Sequence, residues 1–578
     1  MRVVYLGRPS TRARQSPRLD GDVIELLSNN WDDFGSQTSF PVLCRVGDAE
    51  PKLGSLKLLL EGVANSSAHL DAMLQNGWDG TFPAPGANYI SIPSEIEFYQ
   101  QLAGLVGMNE TVGVARALRD ASLMTRIDND PAALALTQTE PFAHSLQRER
   151  GAVKAFLDGW QVFNNQTVVV NDVAFRFRDV FDEVSTLRLK FQSERPLPHD
   201  INVLIGPNGV GKSRVLHAIV ADWIHPERAV EGFGFSEKPN LSQIVVVSYS
   251  PFETFPVDLA GEALSDREVY KYFGFRGRGP RRPGPGVDDD DFDLLEPPPR
   301  PIILSHDFPR TDAATSLLAC AIDDRRYVSI AGWPGKLSTM ERVLKTAIDF
   351  DLAAINVDPA VAPATFYTDA TLAAPLTVEA DGERFLPIGS RQLDVLDTAA
   401  IEASILPQGG VTFFRDGQQL KLSSGQRLFS YIVINVLGAI KRNSLILVDE
   451  PELFLHPTLE IQFIEMLKEI LTSLSSKALL ATHSVVTVRE MPSDCVHVFE
   501  RTADGLVVSS PPFQTFAGDI QRISSYVFGD RSAVKPHEAW IRQQLELHGS
   551  AQALLDALGE DTNEELIIQI RALESGRW

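Results

Sequence analysis

The stretch INVLIGPNGVGKSRVLHAIVADWI, Ile201 to Ile224, decides how the rest of the chain is read. Its centre, Gly206–Ser213, fits G-x-x-x-x-G-K-[ST]. An apolar strand, Val203–Ile205, runs into the loop, and RVLHAIVADWI can form the helix that leaves it. The glycines let successive backbone N–H groups turn inward around phosphate oxygens, and the helix start adds its positive end. Gly206, Asn208, Gly209, Gly211 and Arg214 are then candidate lining residues. Lys212 is expected to reach the β- and γ-phosphates, and the Ser213 hydroxyl to ligate Mg²⁺. A chance glycine-rich turn needs neither the strand nor the helix. The implied fold is α/β with a mostly parallel central sheet, and the implied ligands are ATP and Mg²⁺.

Two later segments fit the same sheet. SLILVDEPELFLHP, Ser444–Pro457, is a buried strand, Leu445–Val448, ending in two acids. Beside the phosphate-loop strand, its end would emerge at the same C-terminal edge. Asp449 would then hold Mg²⁺ through water, and Glu450 would accept a proton from an attacking water. Pro457 suits the first position of a helix over TLEIQFIEMLKEIL. ALLATHS supplies a third apolar strand, Ala478–Ala481, ending at Thr482-His483-Ser484. A lone histidine at a strand end is more often structural. Here three strand ends are expected to converge, which makes His483 a candidate γ-phosphate contact.

LSSGQRLFS, Leu422–Ser430, also looks like a phosphate-binding helix start, far from the first in sequence. Taken alone it is equally a serine-rich helix cap. With the other motifs in this order, the chain resembles the ATP-binding-cassette ATPases, whose L-S-G-G-Q signature precedes the acidic strand by about 25 residues. Here Ser423 precedes Asp449 by 26 positions. The resemblance implies a homodimer or higher homo-oligomer in which Ser423, Ser424, Gly425 and Gln426 of one subunit cover the ATP of the other. It implies catalytic roles for Lys212, Glu450 and His483. Two departures stand out: Ser424 replaces the first signature glycine, and no glutamine follows the strand Val245–Ser248. Ser250 and Glu253, in YSPFETF, are the substitutes nearest that position.

DEPELFLHP, with His456 where transporter subunits carry aspartate, is similar to the soluble SMC-like, DNA-repair and overcoming-lysogenization-defect (OLD) ATPases. SPFETF, YKYFGFR (Tyr270–Arg276) and LSSGQRLFSYIVINVLGAI together resemble the ATPases of Septu-type and retron-associated anti-phage systems. That resemblance implies a separate effector subunit, an HNH-type nuclease. Only 95 residues follow His483, so no appended nuclease domain is expected, and His306-Asp307 reads as an ordinary loop pair. The competing expectations are a repair ATPase that clamps DNA directly and an ATP-bound scaffold without turnover.

Composition sets the frame. The chain has 578 residues with 44% hydrophobic and 22% charged, enough for two to four soluble domains. A net charge of −23 argues against a DNA-coating protein, though not against a local basic groove. Cys44, Cys320 and Cys495 form no CxxC pair, which argues against zinc or disulfides. No signal-peptide core or membrane-length apolar run is evident, so a cytoplasmic location is expected.

The expected organisation is an N-terminal domain, 1–165, β then helical, without a catalytic constellation. Ser94 and Glu97 stand at capping-box spacing there, and Asn29–Gly35 contains two acids read as a solvated turn. The ATPase core occupies 166–255 and 406–515. Between them, 256–405 is read as an insertion with a loop, 276–301, and a helical arm. The loop's arginines could touch nucleic acid or simply be solvated. Residues 516–578 are read as a helical docking or dimerising segment.

Overall fold

The computed structural model describes the whole chain apart from residues 8–20, 29–36, 229, 231, 261–266, 280–299, 369–376, 407, 454, 503–504, 529–535, 560–561 and 576–578. The acidic turn Asn29–Gly35 and residues 280–299 of the loop 276–301 thus lie outside the described residues. Two compact units result, Met1–Ala517 and Gly518–Trp578.

The functional edge is built by a seven-stranded sheet in the larger unit. Its order is Tyr270–Gly274, Ile244–Ser248, Leu445–Asp449, Lys477–Thr482, Ile201–Ile205, Val496–Thr502 and Gly505–Ser509. All neighbours are parallel except the last pair. The central strands are near-continuous apolar runs, as strands covered on both faces must be. One expectation is corrected. The acidic strand does not lie beside the phosphate-loop strand, because the strand leading to His483 runs between them. The register pairs Ser248 with Asp449, Asp449 with Ala481, and Thr482 with Ile205. The strand ends are therefore level, and every loop leaving them opens on one edge.

The phosphate-loop helix, Lys212–Ile224, packs Val215, Ile219 and Trp223 into the core that contains Phe175, Phe177 and Leu187. Those last three come from an antiparallel sheet of Val184–Leu189, Val173–Arg178 and Gly234–Phe235.

The insertion differs from the expected helical arm. Tyr270–Gly274 belongs to the core sheet. After the helices Phe308–Arg326 and Lys336–Leu344 comes a five-stranded antiparallel sheet that runs from Leu352 to Gln419. The insertion is thus mixed, and it ends some fifteen residues beyond 405. It leans on the Ser424–Ala439 helix where Gly438 has no side chain: a Cβ there would lie 2.5 Å from the Ser316 Cβ.

N-terminal residues form a sheet of five strands between Arg2 and Pro93, followed by helices as far as Phe163. They have their own apolar core but share one compact unit with the seven-stranded sheet. The capping box at Ser94 is absent. Ser94 Oγ pairs with Ser55 Oγ at 2.6 Å, and the helix begins at Glu97, a buried residue. In the smaller unit, three helices between Pro536 and Glu574 enclose Ile541, Ala551, Leu554 and Ile570. Among the described residues no helix is long and apolar enough to cross a membrane.

Candidate functional site

The loop Gly206–Ser213 has the backbone its glycines permit. Gly209 and Gly211 are left-handed, with φ of 78° and 99°. A Cβ on Gly206 would come within 2.3 Å of the Phe499 carbonyl oxygen, so only glycine fits there. The following helix starts at Lys212 without a side-chain cap, which leaves its first N–H donors available to an anion. Asn208 and Arg214 are exposed.

Five of the expected residues meet at the strand ends. Lys212 is buried, and its Nζ donates to the Gly206 and Pro207 carbonyls at 3.0 and 3.1 Å and to His483 Nε2 at 2.9 Å. Ser213 Oγ donates to Asp449 Oδ1 at 2.9 Å. His483 Nε2 lies 3.7 Å from Glu450 Oε1, and both side chains are 28% exposed. Glu450 holds a left-handed backbone, φ 51°, with its N–H bonded to the Ala481 carbonyl at 2.8 Å.

Burial shapes the charges. It pushes the Asp449 carboxyl up to about 7, against the opposing pull of the Ser213 hydroxyl. It pulls Lys212 down to about 8 although Glu450, Glu452 and Asp449 favour the charged ammonium. His483 is held below its ordinary value by burial and then by Lys212. A buried carboxylate beside a hydroxyl is a hard-oxygen pair, the donor type that Mg²⁺ takes. Ser213 and Asp449 therefore fit that ion, with a buried negative charge it would neutralise.

Other candidates lie elsewhere. Ser423 caps the helix Ser424–Ala439 in a reciprocal box with Gln426, whose Nε2 also donates to the Ala347 carbonyl at 2.9 Å. Ser423 and Ser424 are exposed, and the Ser423 hydroxyl bonds locally, to Gln426. The cap geometry is thus present, which is also what an exposed anion-facing helix start needs. Glu253 does not reach the site. It is buried, accepts from Tyr272 Oη at 2.5 Å and from Phe255 N–H at 2.7 Å, and pairs with Arg276 at 3.3 Å. Ser250 is half-buried, and its carbonyl accepts from Glu253 N–H. Two loop arginines are likewise structural: Arg276 serves Glu253, and Arg278 holds Asp258 through both of its oxygens. His306 packs edge-on against Phe275.

Sequence reading missed two residues. Glu452 accepts from Thr482 Oγ1 and from the His483 backbone N–H. Its one signal was a third acid in DEPE. Val180, in the turn after Arg178, lies 3.0 Å from where a Gly211 Cβ would stand, so that turn walls the loop. Nothing in the turn's own sequence marks it.

A sheet edge with a phosphate-type loop, a buried carboxylate on its serine, and a glutamate and histidine alongside is the arrangement of P-loop nucleotide hydrolases. Residues 394–489 match the family described as "AAA domain, putative AbiEii toxin, Type IV TA system". The matched span is similar to part of an AAA-type ATPase domain. It carries the Ser423 helix, the acidic strand and His483; the loop Gly206–Ser213 precedes it. Protein ea59 of Escherichia phage lambda is 30% identical over 109 residues, 19% of this chain. The match spans 21% of that protein's length.

Proposed function

We propose that the chain binds Mg²⁺-ATP at this edge, hydrolyses it, and uses the nucleotide to control a separate effector. The observation that carries the hydrolase reading is the convergence of Lys212, Ser213, Asp449, Glu450 and His483 from three strand ends far apart in sequence.

The residues divide the work by chemistry. Loop N–H groups and Lys212 hold the β- and γ-phosphates, with Lys212 exchanging its carbonyl and imidazole partners for phosphate oxygens. Ser213 and Asp449 hold Mg²⁺, which neutralises charge gathering on those oxygens. Glu450, whose carboxylate lies 3.7 Å from His483 Nε2, takes the proton of the attacking water. His483 orients the group beside it. Two subunits close over two nucleotides, with Ser423 and the Gly425 backbone of each capping the γ-phosphate held by the other. Ser424 and Gln426 complete that helix start, Gln426 by locking the cap.

The finer reading follows the resemblance to Septu-type and retron-associated ATPases. The dimer holds an HNH-type nuclease as a separate chain in anti-phage defence, and any contact with DNA goes through that assembly. Purified protein, Mg²⁺-ATP and duplex DNA in one reaction test it, with phosphate release and DNA integrity followed together. Phosphate release that Lys212→Ala removes, with intact DNA, supports an ATPase in need of an effector. DNA cleavage by this chain alone overturns the separate nuclease, and no phosphate release overturns the hydrolase.

A further inference from the structure

Glu452 stands two residues past Glu450, in the single turn Pro451–Leu453. Both its carboxylate oxygens are committed to the neighbouring strand end. Oε2 accepts from Thr482 Oγ1 at 2.8 Å, and Oε1 from the His483 backbone N–H at 2.5 Å. The Thr482 hydroxyl in turn accepts from Ser484 N–H at 2.9 Å. Ser484 Oγ then caps the helix Val485–Arg489. Further along the acidic segment, buried Glu460 accepts from Thr487 Oγ1 at 2.6 Å. Two glutamates of one segment thus bracket residues 482–487.

Past Thr482 the strand has no further ladder partner among the described residues. The His483 backbone would be free to turn there, carrying its ring away from Lys212. A carboxylate accepting a backbone N–H forms a charge-assisted bond, shorter and stronger than a neutral one. Here it acts on the one residue whose ring must reach Lys212 and Glu450. A glutamate needed only to satisfy buried polar groups has no reason to place both oxygens on the histidine's own turn.

We infer that Glu452 is a positioning residue for His483, clamping the Thr482–His483 turn so that Nε2 faces Lys212 and Glu450. The inference rests on the hydrolase reading above. It concerns a residue that holds the machinery in place and does not touch substrate.

The test is a double-mutant cycle on the full chain. E452A is expected to lower kcat about a hundredfold, the size of effect a 1 Å misplacement produces. Its KM for ATP stays near wild type. E452Q keeps a carbonyl for the His483 N–H and recovers most of the rate. On an H483A background E452A costs nothing further, because the group it positions is gone. Thr482→Val removes one of the two bonds to Glu452, together with the acceptor of the Ser484 N–H, and is expected to show a smaller loss in the same pattern. It carries the test if E452A does not fold. A loss that persists in full on the H483A background, or wild-type kinetics in E452A, overturns the inference. Should the wild type release no phosphate, the hydrolase reading fails instead. The NMR titration of the His483 ring, assigned by H483A, then decides: it must shift in E452A, and an unchanged curve overturns the clamp.

Discussion

Lys212 Nζ donates to His483 Nε2 at 2.9 Å, across 271 residues of sequence. An ammonium can only donate, so Nε2 is the acceptor and the ring is neutral with its proton on Nδ1. The depressed basicity of His483 agrees, and its 3.7 Å approach to Glu450 is therefore no ion pair at neutral pH. The lysine is parked on the group expected to share its substrate. Lys212→Ala is expected to lose phosphate release and to bind a fluorescent ATP analogue more weakly. His483→Ala is expected to slow turnover to a residual, measurable rate with a smaller effect on binding. If the two variants bind the analogue equally well, Lys212 is not the phosphate ligand.

Glu450 invites a test that separates strain from chemistry. Its φ of 51° is one that a non-glycine residue holds at a cost of about 1 kcal/mol. Glu450→Gln keeps the strain and removes the base, so phosphate release is expected to fall at least about a hundredfold while ATP stays bound. Glu450→Gly relieves the strain, and its melting temperature is expected to exceed that of Glu450→Gln. Filter retention of labelled ATP and thermal melts read both. An unchanged rate in Glu450→Gln would remove it as the base.

What could be read in advance was what is local. The glycine spacing of 206–211, the apolar runs before Asp449 and Thr482, and Pro457 at a helix start are set by neighbours within a few residues. The order of strands is not: nothing in LILVD or ALLAT says that the second inserts between the first and Ile201–Ile205. Ser94 and Glu97 matched a helix cap, yet Ser55 claims the serine and burial claims the glutamate. Leu352–Val357 and Val411–Arg415 are short strands whose pairing crosses more than fifty residues, so the insertion read as helical. Glu452 was visible as a residue but not as a clamp, because Thr482 lies 30 positions away.

Asp449 gives the pH dependence. Burial raises its carboxyl to about 7 in the folded chain, against an ordinary value near 4. The contribution of the protonated, buried form to stability is complete below about pH 4 and is lost as pH rises through about 7. Mg²⁺ requires the carboxylate, so its binding expels the proton, and affinity is expected to rise about tenfold per unit up to pH 7 and then level. Melts from pH 5.5 to 8.5, with and without Mg²⁺, are expected to show a stabilisation by the ion that grows up to about pH 7 and is level above it. Asp449→Asn is expected to flatten the curve. A pH-independent Mg²⁺ effect in the wild type would mean the ion binds elsewhere.

Ser423 is both a helix cap and the residue proposed to face a phosphate of the other subunit, and one substitution tells these apart. Aspartate caps as well as serine, so Ser423→Asp is expected to leave the melting temperature within the range of a surface change. Ser423→Ala loses the box with Gln426 and is expected to cost about 1 kcal/mol. If the helix start caps a γ-phosphate, Ser423→Asp brings like charge to it, and turnover is expected to vanish while ATP still binds. Mixed with inactive Lys212→Ala, it is expected to restore part of the activity. In such a mixed dimer one composite site pairs an intact loop with an intact signature, and the other carries both defects. Activity in Ser423→Asp alone would leave the residue a cap and nothing more. Failure of the mixture, with dimers present by light scattering, would mean that each subunit works with its own signature or that both sites must act together.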